Sequence, residues 1–151
     1  MTPAPNAATP VVADVETKHP SKRGMIHHLD LTVRDPWASA SFYEAVLGHM
    51  GYVKSHEYED GIDFDTNSND IGFTSIGLVR AKYALPHNRF QPGLHHVAWC
   101  ADSREDVNKL HETLTAFGAT ILDAPADYPE YGEGYYALFF CDPDGLKLEY
   151  V

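Results

Sequence analysis

The chain has 151 residues, of which 44% are hydrophobic and 22% charged, and these values are typical of one globular domain. The formal net charge of −11 argues against nucleic acid or an anionic membrane as a partner, because both attract basic surfaces. No apolar run approaches the ~20 residues that a membrane span needs, and two cysteines are too few for a disulfide framework, so a reduced, cytoplasmic protein is expected.

The N-terminal segment differs in composition from the rest of the chain. Residues 1–24 are rich in Ala, Pro, Thr and Val and show no hydrophobic periodicity. They lack the continuous apolar stretch of a secretory signal, and the basic residues Lys18, Lys22 and Arg23 follow the short apolar run instead of preceding it. We therefore predict a flexible leader at 1–24 and a single domain at 25–151.

The first half of the domain opens with a strand-like run, MIHHLDLTVRD at 25–35, which leads into a helix. Asp35 can cap that helix and Pro36 can occupy its first turn. Gly48 stands where a helix commonly ends in a left-handed residue. The apolar residues of the helix are Phe42, Tyr43, Val46 and Leu47. Three strands are expected after it, near 51–58, 62–65 and 71–83.

The second half follows the same order. GLHHVAWCADS at 93–103 predicts another strand, and Ser103 with Asp106 resembles a capping box at the start of a helix. Gly118 is placed to end that helix. Its apolar stripe, at helical spacing, consists of Val107, Leu110, Leu114 and Phe117. Strands are expected near 119–123, 135–141 and 146–151, the last two joined by a DPDG turn.

The two halves therefore share one pattern: an apolar residue, two histidines and a strand-like run, followed by a helix and three strands. The simplest fold is α+β, with two βαβββ repeats that form an open, barrel-like mixed sheet around a cleft able to hold a metal. Repeat one covers about 25–84, the linker about 85–93 and repeat two about 94–151.

Strand alternation selects candidate metal ligands. His28, His96 and Glu149 each lie on the less apolar face of their strand, opposite the face that should pack against a helix. Two imidazoles and one carboxylate suit zinc, iron, manganese, nickel or cobalt, and leave coordination positions open for water and substrate. Each residue taken singly is an ordinary strand side chain, so it is the repetition with matched parity that indicates one divalent ion per chain.

Four segments carry a resemblance to a known superfamily: IHHLDL at 26–31, SFYEAVLG at 41–48, LHHVAW at 94–99 and YYALFFCDPDGLKLEYV at 135–151. They resemble the vicinal-oxygen-chelate superfamily, which includes glyoxalase I, fosfomycin-resistance enzymes, bleomycin-binding proteins, methylmalonyl-CoA epimerase and extradiol dioxygenases. The resemblance extends over most of 25–151.

The resemblance implies that the metal ligands are His28, His96 and Glu149, with His27 and His95 as supporting or packing residues. Glyoxalase I has a fourth ligand near the end of the first repeat, where this chain has Gly77, Leu78, Val79 and Arg80. None of these is a carboxylate or histidine, which argues against glyoxalase activity.

The sequence does not single out a general acid or base. A cluster of tyrosines lies before and within the seventh strand: Tyr128, Tyr131, Tyr135 and Tyr136. A hydroxyl of this cluster could orient a substrate oxygen or act as an acid, with aromatic packing as the alternative role. The candidates named from this stretch are Tyr128, Tyr131, Glu133 and Tyr136. An acid between Glu57 and Asp65 is a further candidate base.

Together these features predict a metal-dependent enzyme that acts on a small molecule with two adjacent oxygens. Lewis-acid stabilisation of an oxyanion suits a lyase or isomerase, epoxide opening, or ring cleavage by a dioxygenase. The alternatives are a dimeric module that sequesters a drug or metabolite without catalysis, and a fold that is only stabilised by metal. A homodimer is expected for each of these functions, because paired βαβββ units leave sheet edges and an open cleft.

Overall fold

The computed structural model describes residue 24 and residues 26–66, 75–83 and 85–151. The leader expected at 1–24 lies outside the described residues apart from Gly24, and so does the expected first part of the strand at 71–83. None of the helices in the described ranges is long and apolar enough to cross a membrane.

Repeat one forms a four-stranded mixed sheet with one helix, and this sheet is called sheet one below. Its elements are β1 (His28–Val33), α1 (Pro36–His49), β2 (Tyr52–Glu57), β3 (Gly61–Thr66) and β4 (Ser75–Arg80). The strand order is β1-β4-β3-β2, with β1 parallel to β4 and the other pairs antiparallel.

Repeat two has the same plan, and its sheet is called sheet two. Its elements are β5 (His96–Trp99), α2 (Arg104–Phe117), β6 (Thr120–Asp127), β7 (Tyr136–Cys141) and β8 (Lys147–Tyr150). The strand order β5-β8-β7-β6 again has one parallel pair, β5 with β8. The α+β prediction with two βαβββ repeats is therefore confirmed, and the described strands form two separate sheets that do not close on one another.

Both helices begin at the predicted caps. The Asp35 carboxylate accepts hydrogen bonds from the amides of Trp37 and Ala38, with Pro36 in the first turn. The Ser103 hydroxyl accepts a hydrogen bond from the Asp106 amide at 3.2 Å. These bonds satisfy amides that have no partner inside the helix, which is why the two starts could be predicted from short motifs.

The helix ends differ from each other. α2 ends at Gly118 with φ +80°, as expected. The expected end of α1 at Gly48 was wrong, because the helix continues to His49 and the left-handed residue is Gly51, with φ +86°. The amide of Gly51 bonds to the carbonyl of Gly48, so the reversal comes just before β2.

The two repeats share one hydrophobic core, in which α1 packs against α2. Phe42 of α1 contacts the rings of Phe117 and Phe140 in repeat two. The predicted stripe of α2 is buried except for Phe117, which is 46% exposed at the edge of this contact. The core residues of the two helices are Phe42, Tyr43, Val46, Leu47, Val107, Leu110 and Leu114.

Polar contacts tie the repeats together on the same side. The Tyr43 hydroxyl donates a hydrogen bond to Asp142 at 2.8 Å, inside the core. Asp106 of α2 contacts His49 of α1 at 2.8 Å and accepts a hydrogen bond from Tyr150. Because the helix-packed faces of both sheets meet in this core, the opposite face of each sheet points away from it.

Candidate metal centre

Sheet two brings two of the predicted ligands into contact on its outer face. Parallel pairing of β5 with β8 sets Ala98 opposite Glu149, so His96 and Glu149 share that face. Nε2 of His96 lies 3.1 Å from Oε2 of Glu149, and Glu149 is only 2% exposed. Two donors that each lie ~2.0–2.2 Å from one ion are themselves about 3 Å apart, so this pair has the spacing of ligands to a shared metal.

Tyr135 completes the surroundings of Glu149. Its hydroxyl donates a hydrogen bond to Oε1 of Glu149, the oxygen that does not face His96. This hydrogen bond, helped by burial, raises the pKa of Tyr135 to about 12, so the phenol keeps its proton at neutral pH. Tyr135 belongs to the tyrosine cluster seen in the sequence but is not one of the four candidates named from it. The available signal was its position immediately before β7, the strand that pairs with β8.

The histidine pairs are arranged alike in both repeats. Nδ1 of His95 lies 2.7 Å from Nδ1 of His96, and Nδ1 of His27 lies 3.1 Å from Nδ1 of His28. In each pair the contact between Nδ1 atoms leaves Nε2 of the second histidine available to a ligand. This is the side-chain arrangement expected of a metal-binding imidazole with a neighbour that orients its ring.

Sheet one presents an acidic groove on its outer face. His28 is exposed there, at the edge of a groove of about 860 Å³ that also contains Asp30, Tyr58 and Asp63. The Tyr58 hydroxyl donates a hydrogen bond to Oδ2 of Asp63 at 2.8 Å. The sequence had indicated an acid between Glu57 and Asp65, and Asp63 is one that faces the same groove as His28.

The structure explains how sheet one differs at the position of Glu149. Across sheet one, Asp30 and Asp63 pair on either side of Gly77, as Ala98 and Phe139 pair on either side of Glu149 in sheet two. A Cβ at Gly77 would collide with Oδ1 of Asp30 and lie 3.2 Å from Oδ1 of Asp63. The two aspartates thus occupy the space that a side chain at position 77 would take.

His28 does not join the other two ligands within one chain. Among the described residues, no three His, Cys, Asp or Glu side chains gather closely enough to hold an ion. The cause is the packing of the repeats, which turns the outer faces of sheets one and two away from each other. One chain therefore presents a preassembled His96–Glu149 pair on one face and His28 on another.

Three of the four weaker candidates, Tyr128, Tyr131 and Glu133, lie between β6 and β7. The ring of Tyr128 packs edge-on against Phe139, with the ring centres 5.2 Å apart, and stacks on Tyr131, with the ring centres 5.9 Å apart. Tyr128 and Tyr131 therefore both lie near Tyr135 and Glu149. Glu133 is exposed in the turn before β7.

Tyr136 lies on the other side of sheet two. Its hydroxyl donates a hydrogen bond to Oδ1 of Asn108 at 2.8 Å, and the Arg104 guanidinium covers its ring. It contacts α2, so it is directed away from Glu149. Its parity within β7 is opposite to that of Tyr135, and this could have been inferred from the strand alternation.

Most of the chain is similar to known proteins. The family model of the Glyoxalase/Bleomycin resistance protein/Dioxygenase superfamily matches residues 25–150. The uncharacterized protein YqjT of Bacillus subtilis (strain 168) is 32% identical over 127 residues, which cover 83% of this chain and 97% of YqjT.

Solved structures show the same fold. A protein from Bacillus halodurans, provisionally described as a glyoxalase, is 28% identical with a TM-score of 0.71, over 85% of this chain and 96% of that one. The fosfomycin resistance protein FosX of Listeria monocytogenes is 17% identical with a TM-score of 0.61, over 83% of this chain and 89% of FosX. At that identity the likeness to FosX concerns the fold alone.

Proposed function

The chain belongs to the glyoxalase/bleomycin resistance protein/dioxygenase superfamily, and we propose that it is a divalent-metal-dependent enzyme acting on a small substrate with two adjacent oxygens. The observation that supports this most is the His96–Glu149 pair. Burying the Glu149 carboxylate costs free energy unless a cation or proton neutralises its charge, and an imidazole nitrogen lies only 3.1 Å from one of its oxygens.

The donor set fits a catalytic ion. Two imidazoles and a carboxylate are ligands for zinc, iron, manganese, nickel or cobalt, and three protein ligands leave positions for substrate. When bound, such an ion supplies Lewis-acid stabilisation of a substrate oxyanion, which suits lyase, isomerase, epoxide-opening or ring-cleaving chemistry. The carboxylates of Asp30 and Asp63 line the groove beside His28 and can accept a proton from the substrate.

The third ligand comes from a second copy of the chain in this proposal. His28 is exposed on the outer face of sheet one, and the helix-packed faces of both sheets are already occupied by the shared core. Apposing sheet one of one chain with sheet two of another places a histidine opposite the His96–Glu149 pair. Each of the two sites in a homodimer then consists of His96 and Glu149 from one chain and the partner subunit's His28.

The rival function is a dimeric module that sequesters a small molecule without catalysis. The size of the sheet-one groove, about 860 Å³, favours it, as does the stacking of His56 on Tyr58 within that groove. Cation-bearing ligands would suit its acidic lining. This function needs no metal, so metal analysis separates the two.

The test is the metal content of the purified full-length chain. We expect about one divalent ion per chain, removed by a chelator and lost on His28→Ala, His96→Ala or Glu149→Ala. Loss of a ligand should exceed the ~10–100-fold weakening typical of changes in supporting residues. A panel of diols, hydroxyketones, epoxides and catechols then assigns the reaction class.

His27→Ala and His95→Ala are the matched controls, because each removes the neighbouring imidazole and keeps the proposed ligand. Metal retained by all three ligand variants, or absent from the wild-type chain, would overturn the proposal and leave the sequestration function.

A further inference from the structure

We infer that Tyr135 is a positioning residue that holds Glu149 as a one-oxygen ligand and so keeps adjacent coordination positions open for a substrate that binds through two oxygens. This inference rests on the proposed metal site. It concerns a residue that the donor set itself does not include.

The carboxylate of Glu149 has a different partner on each oxygen. Oε2 lies 3.1 Å from Nε2 of His96, and Oε1 accepts the hydrogen bond of the Tyr135 hydroxyl. At 2% exposure, Glu149 has little solvent to replace either partner. Oε2 is therefore the oxygen that faces His96, the other proposed ligand in sheet two.

A carboxylate can bind an ion through one oxygen or through both. Binding through both would draw Oε1 away from the phenol and give up a hydrogen bond to a charged acceptor, which is among the stronger hydrogen bonds in proteins. The Tyr135–Glu149 bond thus favours the one-oxygen mode. Each coordination position that Glu149 leaves free is available to the substrate.

The backbone around Tyr135 is held in place. Its carbonyl accepts a hydrogen bond from the Tyr128 amide at 2.9 Å, and its own amide donates to the Gly132 carbonyl at 3.3 Å. Its ring packs edge-on against Tyr131 with the ring centres 5.3 Å apart. The hydroxyl is therefore presented to Glu149 by a fixed turn, as positioning of a ligand requires.

The experiment compares Tyr135→Phe with Tyr131→Phe in the cobalt-loaded, full-length protein. Both variants delete one phenol hydroxyl from neighbouring rings, but only the first removes the hydrogen bond to Glu149. The readouts are cobalt stoichiometry, the visible cobalt spectrum and the Kd of acetohydroxamate, a ligand that binds through two adjacent oxygens.

We expect Tyr135→Phe to keep its cobalt, to change the visible spectrum towards a higher coordination number, and to weaken acetohydroxamate by ~10-fold or more. Tyr131→Phe should match the wild type within about 2-fold, because it leaves the ligand and its partner in place. Wild-type spectrum and hydroxamate affinity in Tyr135→Phe would overturn the inference, and so would complete loss of cobalt, which would make Tyr135 a requirement for the metal.

A second measurement uses the wild-type chain and so does not depend on how the variant folds. In a crystal structure of the cobalt-loaded protein, Oε2 of Glu149 should bind the ion while Oε1 stays on the Tyr135 hydroxyl. Both oxygens on the ion would overturn the inference and leave the metal site standing. Wild-type protein that binds no cobalt would instead overturn the proposed function, and this inference with it.

Discussion

In sheet two the central position between Ala98 and Phe139 is occupied by Glu149, whereas the corresponding position in sheet one, between Asp30 and Asp63, is occupied by Gly77. The backbone register is the same, and the distribution of carboxylates is inverted. A repeated fold can therefore keep its strand pairing while the outer faces of its two halves acquire different chemistry.

The two faces also differ in how complete they are. On sheet two, one tyrosine and one histidine already contact the two oxygens of a buried Glu149. On sheet one, His28 is exposed at the edge of an open groove and, among the described residues, belongs to no group of three possible metal ligands. A tyrosine holds one aspartate oxygen there too, since Tyr58 donates to Asp63. Sheet two thus carries two candidate ligands in contact, whereas sheet one carries a single candidate ligand at the edge of an open groove.

The largest expected effect tests whether these halves meet between chains. His28→Ala damages only sheet one and Glu149→Ala only sheet two, so neither variant alone should bind metal at the proposed site. If the two chains are co-expressed with different tags, about half of the dimers are mixed and each rebuilds one of its two sites. We expect roughly a quarter of the wild-type metal content to return, concentrated in the doubly tagged fraction.

The control is co-expression of His96→Ala with Glu149→Ala. Both changes damage sheet two, so their mixed dimers rebuild no site. Equal metal content in the two mixtures, at the background of the single variants, would show that the halves do not combine between chains.

Sequence patterns predicted the features of the two sheets that depend on residues close together along the chain. Alternation placed His28, His96 and Glu149 on the faces opposite the core, and the Asp35 and Ser103 motifs marked the helix starts. These features depend on backbone periodicity and on bonds between residues a few positions apart.

Features that depend on register across strands were not predictable in the same way. The aspartates flank Gly77 only because three strands align at that level, and Tyr135 reaches Glu149 only through the β7–β8 pairing. The separation of His28 from the other ligands depends on which faces of the two helices pack together. That choice is made by the whole core, and no local motif encodes it.

Two glycines of sheet one provide the next test, because a new methyl group meets different atoms at each. A Cβ at Gly61 would lie 2.7 Å from the backbone carbonyl oxygen of Leu78, which cannot move without distorting β4. At Gly77 it would meet the end of the Asp30 side chain, which can rotate into the groove.

Gly61→Ala should therefore lower the free energy of unfolding by ~2–3 kcal/mol, and Gly77→Ala by less than ~1 kcal/mol. Urea unfolding of both variants measures this. Equal losses would show that the Asp30 carboxylate is as fixed as backbone and that the groove is not adaptable.

Two tyrosine–aspartate hydrogen bonds of equal length compare the core with the outer face. Tyr43 donates to Asp142 and Tyr58 donates to Asp63, both at 2.8 Å, but Tyr43 is fully buried between the repeats and Tyr58 is 51% exposed. Tyr43→Phe should cost ~1–2 kcal/mol of unfolding free energy, because the buried carboxylate loses a donor that water does not replace. Tyr58→Phe should cost much less, because water can replace a hydrogen bond lost at an exposed site.

Thermal or urea unfolding of the two variants gives the difference directly. A loss at Tyr58 as large as that at Tyr43 would mean that the outer face of sheet one is closed off from solvent, and it would weaken the distinction between the two faces.

The smallest expected effect concerns Asp106, which joins α2 to α1 and β8 and so helps keep both outer faces turned away from the core. Burial raises the pKa of Asp106, but the hydrogen bonds that it accepts from Tyr150, the Asp102 amide and His49 outweigh this and leave the pKa below its usual value of 3.8. A carboxyl whose pKa is lower in the folded chain than in the unfolded chain stabilises the fold above about pH 4, and this contribution is lost as the pH falls through the folded-state pKa.

Asp106→Asn should therefore be less stable than the wild type at pH 6, by under ~1 kcal/mol because the side chain is partly exposed. The difference should shrink as the pH falls from 4 towards 2.5. Urea unfolding at several pH values measures it, with Glu105→Gln on the same turn of α2 as the control. A difference that stays constant with pH would show that Asp106 joins the repeats through its shape and not through its charge.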